Sequence, residues 1–512
     1  MSIRVRSSVV ASASCVLLSG AVPALAVPTV VYSTIASSPT SDVPGGGGLK
    51  FISFDRPNPS QDGTRWIGVA SVDSGSTTTD TVLLVGASST AVVAIREGVT
   101  PIEGTRVAGS LTADRRASIT NAGTWAYSVD LDGATTDDRA ILTGSGASFS
   151  IAFREGNLID AIAGTSFGST IAEAHIEDDG QVSVRAGSIA GAASTNNAAL
   201  LGDNGQTLLA RSGTTTPAGQ LVLPEQTYSS FDFNTFSASA DESAWAVRAS
   251  LTGPGASNSV VVRNNTVVAQ EGASLAGLSN PIQQFYGRPI LGGDNNAYYA
   301  GWTTQVASEF FAARNSTVLA KAGQPIVTGS TEVWDTTSWN VTNGRGFFVY
   351  HGDASGNYVL GGFTSSTADR NVVYVLNGQT VLLRAGDGVD LNGDGLLNDD
   401  AFFYMPATAT TGASLGNKVE DGWLSSDGFF YEVVDLRDGV GNDLGDALIR
   451  VPLPGVNCAA DFNSDGQADF FDYLDFVSAF SNEDPAADIN EDGQVDFFDY
   501  LDFATAFDAG CP

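Results

Sequence analysis

The sequence predicts an all-β body, built as a closed ring of seven four-stranded units, with a small α-helical module at its C-terminus. Three observations predict it. Gly, Ser, Thr, Ala, Val and Asn are abundant while Lys and Glu are scarce, which favours short strands and turns over long amphipathic helices. A short apolar phrase ending in glycine keeps returning along the chain, and the two ends of that repeated region complement each other. With 512 residues, 43% of them apolar, the chain is long enough to bury a large core and a small second one.

Residues 1–26 read as an export signal. Arg4 and Arg6 form a basic start, an apolar stretch runs from Val9 to Leu18, and the small residues Ala24 to Ala26 offer a cleavage site, so the mature chain is expected to begin near Val27. Cys15 lies inside the apolar stretch and would leave with it. No later stretch reaches the roughly 18–20 apolar residues that span a bilayer.

Residues 27–453 carry the repeat. The phrases "AIREG", "AFREG", "LARSG", "VAQEG", "LAKAG" and "LLRAG" end at Gly98, Gly156, Gly213, Gly272, Gly323 and Gly386, at spacings of 58, 57, 59, 51 and 63 residues. Within each period strand-like runs recur in one order, as in "TWAYSVDL" from Thr124, "DRAILTG" from Asp138 and "SFSIAFREG" from Ser148, after a less regular run. Four short antiparallel strands per period is the size of a β-propeller blade, and a single such sheet leaves an apolar face that a neighbour must cover. "TVVYSTIAS" from Thr29 looks like a fourth strand without its first three, and the last unit, "AFFYMPATA", "GFFYEVVDL" and "DALIRVPL", lacks its fourth. Exchange of that strand closes a ring of six internal blades and one composite blade. An open solenoid or a pair of β-sandwiches would share the same strand period. The region resembles a class of exported bacterial repeat proteins that carry the same "REG" phrase, and the resemblance implies architecture alone.

The formal net charge of -33 repels nucleic-acid backbones and anionic lipid while attracting divalent cations. The only two histidines, His175 and His351, fall in different predicted blades, and each reads as a strand or turn residue rather than a catalyst. There is no H-E-x-x-H zinc helix. A carboxylate pair for glycoside cleavage, about 5–9 Å apart, could come from any two blades. Glu177 to Asp179 and the run from Asp130 are acidic patches expected on solvated loops.

One loop of the body carries metal chemistry. In "DLNGDGLLNDD", Asp390, Asn392 and Asp394 alternate so that their oxygens converge, Gly395 permits a sharp turn, Leu396 offers a carbonyl, and Asn398 or Asp400 completes a Ca²⁺ shell. The twelfth position is Ala401, so Asp400 is expected to substitute.

The tail, 457–512, repeats itself. Two 21-residue segments from Ala460 and Ala487 share 16 identities. Asp461, Asn463, Asp465, Gln467, Asp469 and Asp472 fall at positions 1, 3, 5, 7, 9 and 12 of one Ca²⁺ loop, with Gly466 at 6. Asp488, Asn490, Asp492, Gln494, Asp496 and Asp499 repeat them. The tail has 14 Asp and Glu and no Lys or Arg, so folding is expected to accompany metal binding. Cys458 and Cys511 bracket both repeats and, in an exported protein, are expected to pair, a link of about 4 kcal/mol for a loop of that length.

The paired D-x-N-x-D-G-x-x-D-x-x-D loops, each leading into a helix, resemble a type I dockerin, and the closing "GCP" resembles the variant that ends many exported bacterial proteins. The resemblance covers about 55 residues. It implies two bound Ca²⁺ ions and docking through a helix face onto a cohesin-like or other envelope protein, often in polysaccharide-degrading assemblies. Where such modules often carry small hydroxyl residues, this chain has Phe470, Phe471, Phe497 and Phe498, with Tyr473, Phe476, Tyr500 and Phe503 beyond. Some of these rings are expected to form an apolar docking patch.

Together these readings predict an exported Ca²⁺-binding protein with a non-catalytic propeller that meets glycan or protein. The alternative is a polysaccharide-degrading hydrolase of O-glycosyl bonds on the same anchor. Two facing carboxylates in the central funnel would favour the enzyme.

Overall fold

The structure, a computed structural model, describes residues 27–454 apart from 56, 110, 113–116, 134–136, 305–308, 337–345, 368 and 405–421. Towards the C-terminus it describes 460, 462, 468, 470–482, 484, 487, 489 and 494–509. The predicted export signal lies outside the described residues. The chain divides into two compact units, Val27–Pro454 and a C-terminal one within Gly455–Cys511.

The first unit is a seven-bladed β-propeller. Blade 2 shows the plan: Ser118–Ile119, Thr124–Asp130, Arg139–Ser145 and Ser148–Arg154 pair in sequence order, each antiparallel to the last. Blade 3 repeats it with Thr170–Ile176, Val182–Gly187, Ala199–Gly202 and Thr207–Arg211. In blades 1, 4 and 7 the first strand is split into two short pieces, such as Tyr228–Phe231 and Ser237–Ala238 in blade 4. This is the irregular run that the sequence placed at the head of each period.

The composite blade is as expected. Thr29–Ser33 pairs antiparallel with Asp443–Pro452, matching Thr29 to Arg450 and Ser33 to Ala447. Phe429–Arg437 and the short first strands Phe402–Tyr404 and Trp423–Leu424 complete it.

Closure is decided by the core. Seven apolar clusters fill the gaps between consecutive blades, and one of them joins Trp423, Val433 and Leu448 of blade 7 to Trp66, Val82 and Leu84 of blade 1. An open solenoid would leave that last face to solvent. In the strand Thr81–Ala87, Val82 faces blade 7 and Leu83 faces blade 2, and both are buried. Period-2 alternation therefore vanishes from the middle strands, whose two faces both bury apolar side chains at roughly 1.5–3 kcal/mol each.

The repeated phrase now has a physical cause. Each ends a fourth strand, and its glycine turns the chain into the next blade with φ between +62° and +84°. There Gly98, Gly156, Gly213, Gly272, Gly323 and Gly386 donate their N–H groups to Ala108, Phe167, Tyr228, Ile282, Trp334 and Phe403 at 2.7–2.8 Å. Only glycine enters that conformation without penalty, so the residue recurs wherever a blade hands over to the next.

The C-terminal unit contains two helices, α1 (Phe470–Ser481) and α2 (Phe497–Ala509). Their buried faces meet through Phe476 and Phe503, whose rings stack at 3.9 Å and 5°. Ala487 completes the buried centre, and Phe462, Phe480 and Phe507 pack around it. Among the described residues no helix is long and apolar enough to cross a membrane.

Candidate functional site

The first strands of all seven blades converge on a central cavity. Asn58, Ser118, His175, Ser237, Arg288, His351 and Trp423 each line it from a different blade. Its volume is about 100 Å³, room for several waters and well below the ~300–1,000 Å³ of pockets that engulf small molecules. Among the described residues its wall is made of Ser, Pro, Gly, Asn, Gln and apolar side chains with two histidines and one arginine, and holds no carboxylate.

The sequence assigned the two histidines to separate blades but did not place them on one channel. Both act as clips between neighbours. His175 Nε2 lies 3.0 Å from the Phe236 carbonyl of blade 4, and the two rings meet edge to face at 5.3 Å. His351 Nδ1 accepts the Leu424 amide of blade 7 at 3.4 Å. Burial pushes His351 down to about 4, against the opposing pull of Asp294 and Asp353, so its ring is neutral at pH 7.

Two strings read G-x-S-x-G, at 164–168 and 412–416, and the second lies outside the described residues. In the first, the backbone of Ser166 bridges to Leu158 and Ala190 in a connection between blades 2 and 3. A β-strand follows it rather than a helix, so the strained elbow that arms a hydrolase serine is not built.

The loop 390–400 is ordered by its own side chains. Asp390 is buried, and its two oxygens accept the Gly393 and Gly395 amides at 2.6 and 2.9 Å. Asn392 Oδ1 accepts the Asp394 amide and Asp394 Oδ1 the Leu396 amide, each at 2.9 Å, as successive Asx turns. The acidic residue that closes the loop is Asp399: its carboxylate accepts the amides of Leu391 and Asn392 at 2.8 and 3.2 Å and the Asn392 side chain at 2.7 Å. Asp400, at φ 51°, sends its carboxylate to the Gly439 amide at 2.8 Å instead. Counting positions could not separate the two neighbours, because the left-handed turn at Asp400 sends their carboxylates to different partners. Leu396 and Asn398 are exposed.

In the tail, Asp461, Asn463, Asp465, Gln467, Asp469, Asp488, Asn490, Asp492, Cys458 and Cys511 lie outside the described residues. Gln494 is exposed, while Asp472 and Asp499 are fully buried. Asp499 accepts the Ile489 amide at 2.8 Å and the Asp496 amide at 2.7 Å, and Asp496 in turn accepts the Phe498 amide at 2.8 Å. This reciprocal pair is a capping box, and it starts α2 at Phe497.

Beyond each helix start the rings divide. Phe470 and Phe471 are each 64% exposed, Phe497 65% and Phe498 63%. Tyr473 and Tyr500 are half-buried and belong to the module's own packing, with Tyr473 against Phe507 and Tyr500 against Phe476 and Phe480. Leu474 and Leu501, 45% and 43% exposed, extend the apolar surface. Their i+3 and i+4 spacing from the phenylalanines was the available signal.

No protein-family model matches the sequence, and no curated protein does either. Among solved structures, prolyl oligopeptidase B from Galerina marginata aligns over 77% of this chain and 47% of its own, with 9% identity and a TM-score of 0.32. A Trypanosoma rangeli sialidase aligns over 85% and 57%, with 8% identity and a TM-score of 0.27. Regucalcin from Agrobacterium tumefaciens, titled a calcium-binding protein, aligns over 72% and 97%, with 9% identity and a TM-score of 0.28. The chain thus spans about half the length of the prolyl oligopeptidase. At these identities and scores the likeness carries no inference about activity.

Proposed function

We propose that this chain is an exported Ca²⁺-binding protein whose propeller is a non-catalytic binding or structural body for glycan or protein. Its C-terminal module docks onto an extracellular or envelope partner, cohesin-like in presenting an apolar groove. The observation that carries this reading is the exposure of Phe470, Phe471, Phe497 and Phe498, four large rings at the starts of two helices. Rings of this size are left in water at a cost unless a partner covers them.

The donors of loop 390–400 fit a hard cation, since Asp390, Asn392, Asp394 and Asp399 bring only oxygen ligands to one turn. Ca²⁺ there and on the tail loops would supply counter-charge to side chains that now bind backbone amides.

The test uses the full chain immobilised against envelope extract, with Ca²⁺ or with chelator. Capture of a partner that needs Ca²⁺ and is lost in Phe470→Ala/Phe497→Ala is expected. Equal capture by parent and variant, or none that depends on Ca²⁺, would overturn the reading.

A further inference from the structure

Blades 3 and 4 bring together three carboxylates that the loop motifs do not include. Glu177 follows the first strand of blade 3, Asp203 follows its third strand, and Glu242 lies in the turn before Trp245 of blade 4. One oxygen of each lies within 4.8 Å of the other two. The inter-blade register that places them is held by the Asp178 amide, which donates to the Ala240 carbonyl at 2.8 Å.

Glu177 is the informative member. It is 1% exposed. Its Oε1 accepts the Ser183 hydroxyl at 2.6 Å and the Asp203 amide at 3.4 Å. Its Oε2 is buried and has no hydrogen-bond partner. A buried carboxylate oxygen left bare costs several kcal/mol, and native structures place a proton, a water or an ion against it. Burial accordingly pushes the Glu177 carboxyl up to about 7.

The surroundings choose among these. Asp203 and Glu242 add two carboxylates at the same point, and Asp178, Asp179 and Asp241 deepen the negative potential around Glu242. One Asp203 oxygen also accepts the Thr207 hydroxyl. We propose that Glu177, Asp203 and Glu242 form a divalent-cation site that pins blade 3 to blade 4. An all-oxygen, irregular donor set spread over 4.8 Å suits Ca²⁺, which takes ligands at about 2.3–2.6 Å in flexible geometry, better than Mg²⁺.

The site is independent of the tail loops and of loop 390–400, so its loss is countable. Equilibrium dialysis of the full chain with Ca²⁺ should show Glu242→Gln binding one ion fewer per chain, or that ion at least tenfold more weakly, with the other ions retained. Glu242 is exposed on a turn, so this variant is expected to keep the parent's far-ultraviolet circular dichroism. Glu177→Gln should lose the same ion; should it fail to fold, Glu242→Gln alone decides. A Glu242-dependent ion seen with Mg²⁺ and not Ca²⁺ would keep the site and reverse its preference. Unchanged stoichiometry and affinity for both ions in folded Glu242→Gln would overturn the proposal.

Discussion

Acidification should act on His351 through a mechanism whose size follows from its position. The imidazole lies on the strand Phe347–Gly352, the first of the blade that precedes blade 7, and is buried against blade 7, neutral, with Nδ1 accepting the Leu424 amide. Folded, it takes a proton only near pH 4, whereas in an unfolded chain it does so near its ordinary 6.5. The unfolded state therefore binds more protons between these values. The stability this group contributes is complete above about pH 6.5, declines as pH falls towards 4 and is flat below that. Between pH 7 and pH 4.5 the loss is about 2 kcal/mol. With only two histidines in the chain, imidazole resonances can be followed directly, and His351→Asn assigns them. The His351 resonance should stay at its neutral position down to pH 5. In denaturant unfolding, the parent should lose about 2 kcal/mol more than His351→Asn over the same interval, because Asn keeps an acceptor without a titrating proton. A His351 midpoint near 6.5 would mean that the ring meets water, and the inter-blade clip would be wrong.

Two further outcomes test the ring. Gly98→Ala puts a Cβ 2.3 Å from the Thr78 carbonyl at φ +62°, whereas Gly156→Ala, at φ +84°, meets nothing within 4 Å. Gly98→Ala should cost about 2 kcal/mol or more and Gly156→Ala about 1, as shifts in denaturation midpoint, and equal effects would contradict the close approach of the Thr78 carbonyl to Gly98. Deleting residues 27–35 removes the outer strand of blade 7 and bares the edge Asp443–Pro452; thermal melts should show a lower midpoint with aggregation, and an unchanged melt would argue against closure by that strand.

The ring was legible because its causes are local and repeated. Each handover needs a glycine at positive φ, so Gly98 to Gly386 mark the blades before any contact is known. The complementary ends were legible for the same reason: Thr29–Ser33 carries the strand pattern of a missing fourth strand. The central channel was not, since His175 and His351 stand 176 residues apart and only closure brings both to one wall. Asp399 and the partnership of Glu177 with Glu242 escaped for a related cause. Each depends on a left-handed backbone position, at Asp400 or at Glu242, that redirects side chains in a way residue spacing does not record. In the tail the doubled phenylalanines were legible as surface because two helices have too little facing area to bury them, while Tyr473 and Tyr500 lie one turn closer to the seam.

Asp390 shows how closure and the acidic loop share one residue. Its amide donates to Pro28 at 2.8 Å and its carbonyl accepts from Val30 at 3.0 Å, a parallel bridge to the strand that completes blade 7. The same residue's carboxylate gathers Gly393 and Gly395 and sets the start of the loop. Its backbone therefore fixes the N-terminal strand while its side chain orders the turn. The burial of Asp390 follows from both roles, because a carboxylate is kept from water only where donors surround it. A chain that closes a ring through its first strand needs a fixed anchor beside the seam, and the loop's aspartate supplies it.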